Sequence, residues 1–437
     1  MNPTITNVKI NNESTSFDLI NSHPSMANAI RRTMMNGIHT LSIKADEITF
    51  HENTSNLHNE MIALRMSMIP VILDDVANFD TRHVFEINKN NNDDKNIYVT
   101  TEDISCYLET THKDGTSKIR EDKSDKWIRS VFPADSDTGD FIPICLLMKG
   151  ETLHLTCSLS IGSGREHAQY SPVCQVVYSN KIDKKIAASV LEQKIKDCES
   201  KEIENVKAHF KNYQQERYYM CDERIYHQQT DEGRKKITSR VANCFEFNFE
   251  SIGMFSCNFL LGETLRVLIH KLHHITQLIK GIEGKGLEVK PSDTVMKAFD
   301  FVFEGEDHTI GNLLACFLTR NYIEIDNPTL TYVGYICPHP LQPKMVLRIS
   351  ASKNLGEEFT DSIHRERIEH HLLECVQTIS SQFIKLYQQW FRIIKEPEPA
   401  IGLRVFSEQT GDDDKTGDDD KTEEIDEKFN EGAGEGF

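Results

Sequence analysis

The chain has 437 residues, 38% of them hydrophobic and 8% aromatic, which is enough to bury the cores of roughly two to four domains. Its formal net charge is −19, but residues 396–437 hold 15 acidic and 4 basic residues, so the rest carries only −8, and we expect no strong direct binding of DNA or RNA. We also expect no membrane association and no signal peptide, because no apolar run approaches the ~20 residues that span a bilayer. The 11 cysteines form no CxxC pair, as in reduced intracellular proteins, so we expect no zinc or redox motif.

The N-terminal region predicts two strands and a helix. Apolar residues alternate at residues 8–10 and 17–19, which is typical of strands. The following segment, PSMANAIRRTMMNGI (24–38), places its apolar residues on one helical face and ends with a glycine. We therefore predict a strand pair that leads directly into an amphipathic helix.

Two adjacent arginines on this helix are candidates for a contact. Side chains of neighbouring helical residues point about 100° apart. If Ile30 and Met34 are buried, at least one of Arg31 and Arg32 must reach outward or across an interface. A solvated pair is the simpler alternative, and position alone does not decide between them.

Residues 51–240 interrupt this pattern, and we interpret them as one inserted domain. Residues 53–70 predict a loop and a helix that Pro70 ends, and residues 181–232 form a charged, helical stretch. IGSGREHA (161–168) lacks the third glycine and the Lys-Ser/Thr of phosphate-binding loops, so we predict a tight turn there. Strand-like pieces occur at residues 97–101, 152–160 and 173–178.

Two long amphipathic helices are predicted, at residues 259–282 and 357–395. Each repeats apolar residues at steps of three and four, so each needs a partner for its apolar face. We expect them to pack together, joined by a shorter helix near residues 309–318. The side chains predicted to pair within the chain are Leu265, Leu268, Leu272, Ile275, Leu313, Leu314, Phe317, Leu372, Ile379 and Phe383.

Strands frame the shorter helix. Residues 298–304, 331–336 and 344–350 alternate apolar and polar residues, and the two prolines of CPHPL exclude that segment from a sheet ladder. Thr309 is the predicted N-cap of the helix.

The two halves of the chain share a plan. DHTIGNLLACFLTRN (307–321) and PSMANAIRRTMMNGI both run Ser/Thr, apolar, small, Asn, and each helix lies between strands. We predict an α+β fold, a pseudo-symmetric pair of domains with mixed sheets and packed helices, plus a largely β insert. The predicted boundaries are 1–50 with 241–282 for the first domain, 51–240 for the insert, 283–296 for a linker, 297–395 for the second domain and 396–437 for an acidic disordered tail.

No catalytic or metal site is expected. Asp80 in ANFDT is a single carboxylate, whereas metal-assisted phosphoryl transfer needs several. His270 and His274 lie four residues apart without a third ligand, and His308 and His339 lack a nucleophile and an orienting carboxylate. Surface, packing or capping roles are the simpler interpretations.

Four segments together resemble a known family. FDLINSHPSMANAIRRTMMNGIHTLSIKADEITFHENTSNLHNEMIALRMSMIPV (17–71) resembles the start of the D-type assembly subunit of archaeal and eukaryotic DNA-directed RNA polymerase, and residues 142–178 resemble the insert of that subunit. FVFEGEDHTIGNLLACFLTRN and YVGYICPHPLQPKMVLRIS resemble the small L-type partner subunit. The two subunits are separate chains in cellular enzymes, and similar fusions occur in large cytoplasmic DNA viruses.

The resemblance implies an assembly role without an active site or cofactor. The partners would be the two large polymerase subunits and small assembly subunits, in the virion and host cytoplasm for a viral protein and in the nucleus otherwise. Many relatives carry a zinc or iron–sulfur site in the insert, but residues 71–105 contain no cysteine, so we expect no structural metal. The resemblance gives partner-binding candidates at Asn28, Arg31, Arg32, Asn53, Thr54, Ser55 and Glu60, and, for partner contacts or for the pairing fold, Gly311, Asn312, Pro338, His339 and Pro340 of the 338–341 turn.

Two other functions compete with this expectation. A free-standing enzyme would use Asp80 or the histidines, and the isolated protein would then hydrolyse or polymerise nucleotides. A regulatory mimic of the assembly pair would sequester polymerase subunits and inhibit assembly.

Overall fold

The computed structural model describes residues 2–11, 13–73, 76, 78–111, 118–197, 202–230, 233–282, 286–292, 297–352 and 361–397. The predicted disorder of the tail concerns residues that lie outside these ranges, except for 396 and 397.

The helices and strands alternate in an α+β arrangement. The chain begins with β1 (Thr4–Ile10), β2 (Ser14–Ile20), α1 (Pro24–Asn36), β3 (His39–Ile43), β4 (Thr49–Asn53), α2 (Asn59–Ser67), β5 (His83–Asn90), β6 (Ile97–Thr100), β7 (Ile104–Thr111), β8 (Lys118–Asp122), α3 (Asp125–Val131), β9 (Pro143–Leu147) and β10 (Thr152–Ser163). It continues with β11 (Val173–Asn180), α4 (Lys184–Lys196), α5 (Ile203–Arg217), β12 (Cys221–Thr230), β13 (Gly233–Ala242), β14 (Cys244–Ser251), α6 (Cys257–Ile279), β15 (Leu287–Pro291), β16 (Phe299–Glu304), α7 (His308–Leu318), β17 (Leu330–Ile336), β18 (Lys344–Ala351) and α8 (Asp361–Ile394).

The two predicted halves have the same topology. The first half has a sheet with the order β1–β2–β14–β11 and the second a sheet with the order β15–β16–β18–β17, so each places its own strands as first, second, fourth, third. A helix follows the second strand in both halves, and a long helix follows the last strand. The expectation of a pseudo-symmetric α+β pair is confirmed by this equivalence. The strand pairs of both sheets are antiparallel, however, and not mixed as predicted.

The region predicted as a single insert, 51–240, needs correction, because the structure divides it in two. Between α1 and β11, residues 39–172 form a six-stranded sheet of β3, β4, β5, β7, β8 and β10 and a two-stranded sheet of β6 and β9. β11 returns to the first half, where it pairs with β14. A second insertion, residues 181–243, then precedes β14. Its last part is the β12–β13 hairpin, whereas we had predicted helix through residue 232.

The predicted linker, 283–296, also contains regular structure. Within its described part, Leu287–Pro291 forms β15, an edge strand that pairs with β16. An edge strand makes ladder hydrogen bonds on one side only. Its sequence, LEVKP, alternates apolar and polar residues over five positions, which is a strand signal that the linker interpretation missed.

The halves pack through their helices. α6 and α8 lie along each other, α1 packs on α7, and all ten residues predicted for pairing are buried. The contact is close at Gly262, where a Cβ atom would lie 2.9 Å from the ring of Phe391. Hydrogen bonds add to this contact near the C-terminal end of α8: the Trp390 indole donates to the Asn258 carbonyl over 2.9 Å, and Gln389 hydrogen-bonds both backbone groups of Ile5.

Candidate partner-binding surface

The candidate arginines on α1 have different environments. The Arg31 guanidinium donates from Nε and Nη2 to Asn28 Oδ1 over 3.3 and 3.1 Å, which holds both half-buried side chains together on one helix face. Arg32 instead crosses to the second half, where its Nε donates to Thr309 Oγ1 over 2.9 Å and its Nη2 lies 3.4 Å from Asp307 Oδ2. Arg31 with Asn28 is therefore free to serve a partner, while Arg32 already serves the pairing of the halves.

The start of α7 differs from the sequence prediction. Asp307, and not Thr309, is the N-cap, and its Oδ1 accepts from the Thr309 backbone N–H over 2.7 Å. Sequence reasoning favoured Thr309 because threonine is a good cap, but a carboxylate two residues earlier fills the same role. This frees the Thr309 hydroxyl to accept from Arg32.

Charged groups from both halves meet beside this cap. The Lys271 Nζ lies 3.5 Å from Glu306 Oε2, and Arg165 Nη1 donates to the Gly305 carbonyl over 3.0 Å. Burial raises the pKa of the Glu306 carboxyl, and Lys271 offsets this only in part. Burial acts on Asp307 in the same direction, but hydrogen bonds from Thr309 outweigh it and hold the Asp307 pKa below its usual value.

Replacing Glu306 by glutamine should stabilise the protein at pH 7. A carboxyl with a raised folded-state pKa stabilises the fold fully only below its unfolded pKa, and this contribution is lost as pH rises through the folded value. Glutamine stays neutral at every pH, so the gain in melting temperature should shrink as pH falls toward 4.5, the ordinary value for glutamate. Melting curves between pH 4.5 and 8 measure this, with exposed Glu304→Gln as the control. An unchanged or lower melting temperature at pH 7 would contradict the pKa direction.

The loop before α2 is held in a fixed shape. Asn53 Oδ1 accepts from the backbone N–H and the hydroxyl of Ser55 over 3.0 and 2.7 Å, and Asn53 Nδ2 donates to the Leu57 carbonyl over 3.0 Å. Thr54 pairs with Thr152 of β10 through both backbone and hydroxyl. Thr54 is exposed, as is Glu60 in the first turn of α2, so the candidates of this loop lie on a rigid, accessible edge.

An apolar groove next to this loop was not predicted. Met61, Leu64 and Met68 on the outer side of α2 are 53%, 56% and 60% exposed, whereas Ile62 and Met66 are buried. The groove has a volume of about 390 Å³ and is lined by Met61, Leu64, Arg65, Met68, Ile69, Pro70, Ile142, Pro143 and Ile144. The signal was present in MIALRMSMIP, where apolar residues exceed the number that one buried helix face can hold.

The candidates of the second half separate into buried and exposed groups. Gly311 is buried, and a Cβ there would lie 2.4 Å from the Tyr335 ring, so its place is in the packing of α7 and not on a surface. Asn312 is half-buried and accepts from the Cys316 thiol. Pro338, His339 and Pro340 are exposed, and His339 Nδ1 accepts from the Leu341 backbone N–H over 3.2 Å. This turn presents Leu341 with 85% of its surface exposed.

Nothing in the described part of the chain favours a catalytic or metal centre. Arg82 forms a 2.7 Å ion pair with Asp80 and lowers its pKa through hydrogen bonds, so this carboxylate is already matched by a cation. His270 and His274 are half-buried rather than on the open surface that we expected. Among the described residues no three His, Cys, Asp or Glu side chains cluster closely enough to bind a metal ion. Among the same residues, no helix has the length and apolar character needed to cross a membrane.

Comparisons with known proteins agree with the twofold architecture. Residues 16–272 match the family described as the RNA polymerase Rpb3/Rpb11 dimerisation domain, and residues 298–387 match a second profile with the same description. The first match contains α1 and most of α6, and the second contains α7 and most of α8. Each half therefore carries its own dimerisation domain.

Several relatives are named as polymerase subunits. Subunit rpac1 of DNA-directed RNA polymerases I and III from Dictyostelium discoideum is 26% identical over 278 residues, which cover 60% of this chain and 78% of that protein. Subunit Rpo3 of DNA-directed RNA polymerase from Pyrococcus horikoshii is 25% identical over 289 residues, 63% of this chain and 98% of that protein. Subunit rpb3 of RNA polymerase II from D. discoideum is 30% identical over 177 residues, 40% of this chain and 57% of that protein. Because the first family match alone spans more than half of the chain, the protein belongs to the RNA polymerase Rpb3/Rpb11 dimerisation-domain family.

Proposed function

We propose that this chain is a non-catalytic assembly subunit of a multisubunit DNA-directed RNA polymerase, on which the two large catalytic subunits associate. The observation that carries the proposal is the pair of dimerisation domains with identical strand order in one chain, each matched to the same family. Cellular relatives with such domains are named as polymerase subunits. One chain that supplies both halves fixes their ratio at one to one.

Co-purification tests the assembly role directly. The tagged chain, expressed in its native source, should recover two much larger chains in equal amounts, together with small assembly subunits. The isolated chain should neither hydrolyse nor polymerise nucleotides, and either activity would support the competing free-standing enzyme. Recovery of the chain alone would contradict the assembly role.

The proposed contact surface for a large subunit consists of Arg31 with Asn28, the loop 53–60 and the apolar groove on α2. Each part is rigid before binding: Arg31 is held by Asn28, and the loop is held by its own hydrogen bonds and by Thr152. The groove supplies exposed apolar area beside Arg65, which lies at its edge and donates to the Pro143 carbonyl. Apolar centres with a polar rim are the usual anatomy of stable interfaces.

A charge in the groove should block assembly without unfolding the chain. Leu64→Asp places a carboxylate at a position that is 56% exposed in the free chain and would be desolvated by a partner. We expect at least a tenfold weaker recovery of the large subunits, equivalent to about 1.4 kcal/mol or more. The measurement is quantitative co-purification from cells that express all three chains.

The matched control is Ile282→Asp, at a position 67% exposed beyond the end of α6 and outside the proposed surface. Both variants should melt within a degree or two of the wild type, because neither position is buried. Equal recovery from Leu64→Asp and the wild type would remove the groove from the interface.

A regulatory mimic is the second candidate, because a fused pair could also occupy large subunits unproductively. The two differ in an assembly experiment: an assembly subunit is present in active polymerase, whereas a mimic lowers transcription as its concentration rises.

We infer a viral source from the fusion of D-like and L-like domains, by analogy with large cytoplasmic DNA viruses. The protein would then act in the virion and host cytoplasm, and otherwise in a nucleus. Mass spectrometry of purified virions tests this inference. Absence of the protein from virions that are able to transcribe would contradict it.

A further inference from the structure

The second insertion, residues 181–243, is not needed to form the sheet that carries it. It joins β11 to β14, whose ends are paired, with Asn180 opposite Phe245 and the Lys181 N–H donating to the Cys244 carbonyl over 3.0 Å. In the second half, the equivalent strands β17 and β18 are joined by only seven residues, 337–343. The connection in the first half is therefore 63 residues long, whereas seven residues are enough in the second half.

The insertion has a firm stem on the first half. Met220 N–H donates to the Lys181 carbonyl over 2.8 Å, Asn243 N–H donates to the Met220 carbonyl over 3.3 Å, and Ser22 N–H donates to the Asn243 carbonyl over 3.0 Å. Asp183 caps α4 through the N–H groups of the first turn. These bonds fix the base of the β12–β13 hairpin beside the start of α1.

From this stem the insertion contacts the other half. Asp222, the second residue of β12, forms an ion pair with Arg320, which lies in the π-helical turn that follows α7. The Arg320 side chain is only 8% exposed, whereas Asp222 is 32% exposed. A guanidinium that is this buried requires a charged or polar partner, and removing that partner is far more costly than losing a surface ion pair.

Three parts of the chain meet at this pair. A cavity of about 200 Å³ beside it is lined by residues that include His23 at the start of α1, Val241 of β13, Cys316 of α7, and Thr319 and Arg320 of the turn that follows α7. The junction thus contains the first half, the insertion and the second half, and it uses elements other than the α6–α8 pair.

We propose that residues 181–243 act as a strap, anchored on the first half and bound through Asp222 to Arg320, that holds the second half in place. An isolated two-stranded hairpin is marginal in water, so its attachment at Arg320 also stabilises the strap itself. This role is internal to the chain and does not depend on the proposed polymerase function. A failed assembly experiment would leave it standing.

The test measures how fast the halves separate. A protease site introduced at residues 283–285, between α6 and β15, cuts the full chain, and the cut protein is then diluted and followed by size-exclusion chromatography. Asp222→Asn keeps the shape of the side chain but removes its charge, and it should speed separation at least tenfold. Replacing residues 182–242 with a two-glycine turn should speed it at least as much, because the ends of β11 and β14 remain paired.

The matched control is Glu223→Gln, one residue along. Glu223 lies 3.6 Å from Arg240 within the same hairpin, and both side chains are largely exposed, so its separation rate should stay within twofold of the wild type. In a double-mutant cycle with Arg320→Gln, the Asp222→Asn effect should largely disappear. The strap proposal would be wrong if the halves of Asp222→Asn separated at the wild-type rate, or if Asp222→Asn and Glu223→Gln changed that rate equally. Additive effects of Asp222→Asn and Arg320→Gln in the cycle would also contradict it.

Discussion

Leu314→Ala should destabilise the folded chain by about 2–5 kcal/mol. Leu314 is fully buried on α7, a helix that contacts both α1 and α8. Truncation removes apolar atoms that helices from both halves surround, so no single element can move to close the cavity. Urea denaturation, with the midpoint and slope fitted together, measures the change.

The matched control is Leu64→Ala, the same chemical change at a side chain that is 56% exposed. It should alter the free energy of unfolding by less than about 0.5 kcal/mol. If Leu314→Ala unfolds at the same urea concentration as Leu64→Ala, α7 does not lie in the shared core.

Apolar burial, and not charge, supplies most of the stability of this junction. A fully buried leucine contributes about 1.5–3 kcal/mol, and α6 and α8 together bury many such side chains. The Arg32–Asp307 pair has both side chains 29% exposed, and pairs of this kind contribute about 0–1 kcal/mol. The Arg32–Asp307 contact is therefore better suited to fix the orientation of the halves than to hold them together. The Asp222–Arg320 pair is different, because the Arg320 side chain is only 8% exposed.

The long helices could be predicted because their signal is local. α6 and α8 repeat apolar residues every three or four positions, and the structure places them within a few residues of the predicted limits. The equivalence of α1 and α7 was also visible, since both carry the same short pattern of residue types. Helix faces are encoded within a dozen neighbouring residues, so one sequence suffices.

Strand partners were not predictable in the same way. β11 and β10 are both apolar strands from one stretch of the chain, yet β11 pairs with β14, some 70 residues later, and β10 pairs with β3 and β5. Pairing depends on which edge is available in the folded molecule, and that is a property of the whole chain. This is why two insertions appeared as one.

The candidate surface was predictable only in part. Because Arg31 and Arg32 are adjacent on a helix, their side chains had to point in different directions. The contacts that Arg32 makes, however, depend on Asp307 and Thr309, about 275 residues away in the sequence. The groove on α2 was missed because residues 53–70 were interpreted only as a loop and a helix, without a separate assignment for each face of that helix. An excess of apolar residues on both faces is the signal that could have identified it.

Gly164→Ala, in the first insertion, should destabilise the protein by about 3 kcal/mol or more, since overpacking costs about 1–3 kcal/mol and a rigid neighbour places it at the upper end. A Cβ at Gly164 would lie 2.2 Å from the Met35 backbone carbonyl oxygen at the end of α1, and a backbone atom cannot rotate away. The glycine of IGSGREHA is thus explained by the approach of the turn to α1, not by phosphate binding. Thermal and urea unfolding measure the loss of stability. The control is Arg165→Ala at the exposed neighbouring position, which loses only the hydrogen bond to the Gly305 carbonyl. Equal stability of the two variants would mean that the turn and α1 can separate without cost, and that the first insertion is not fixed to the dimerisation domain at this point.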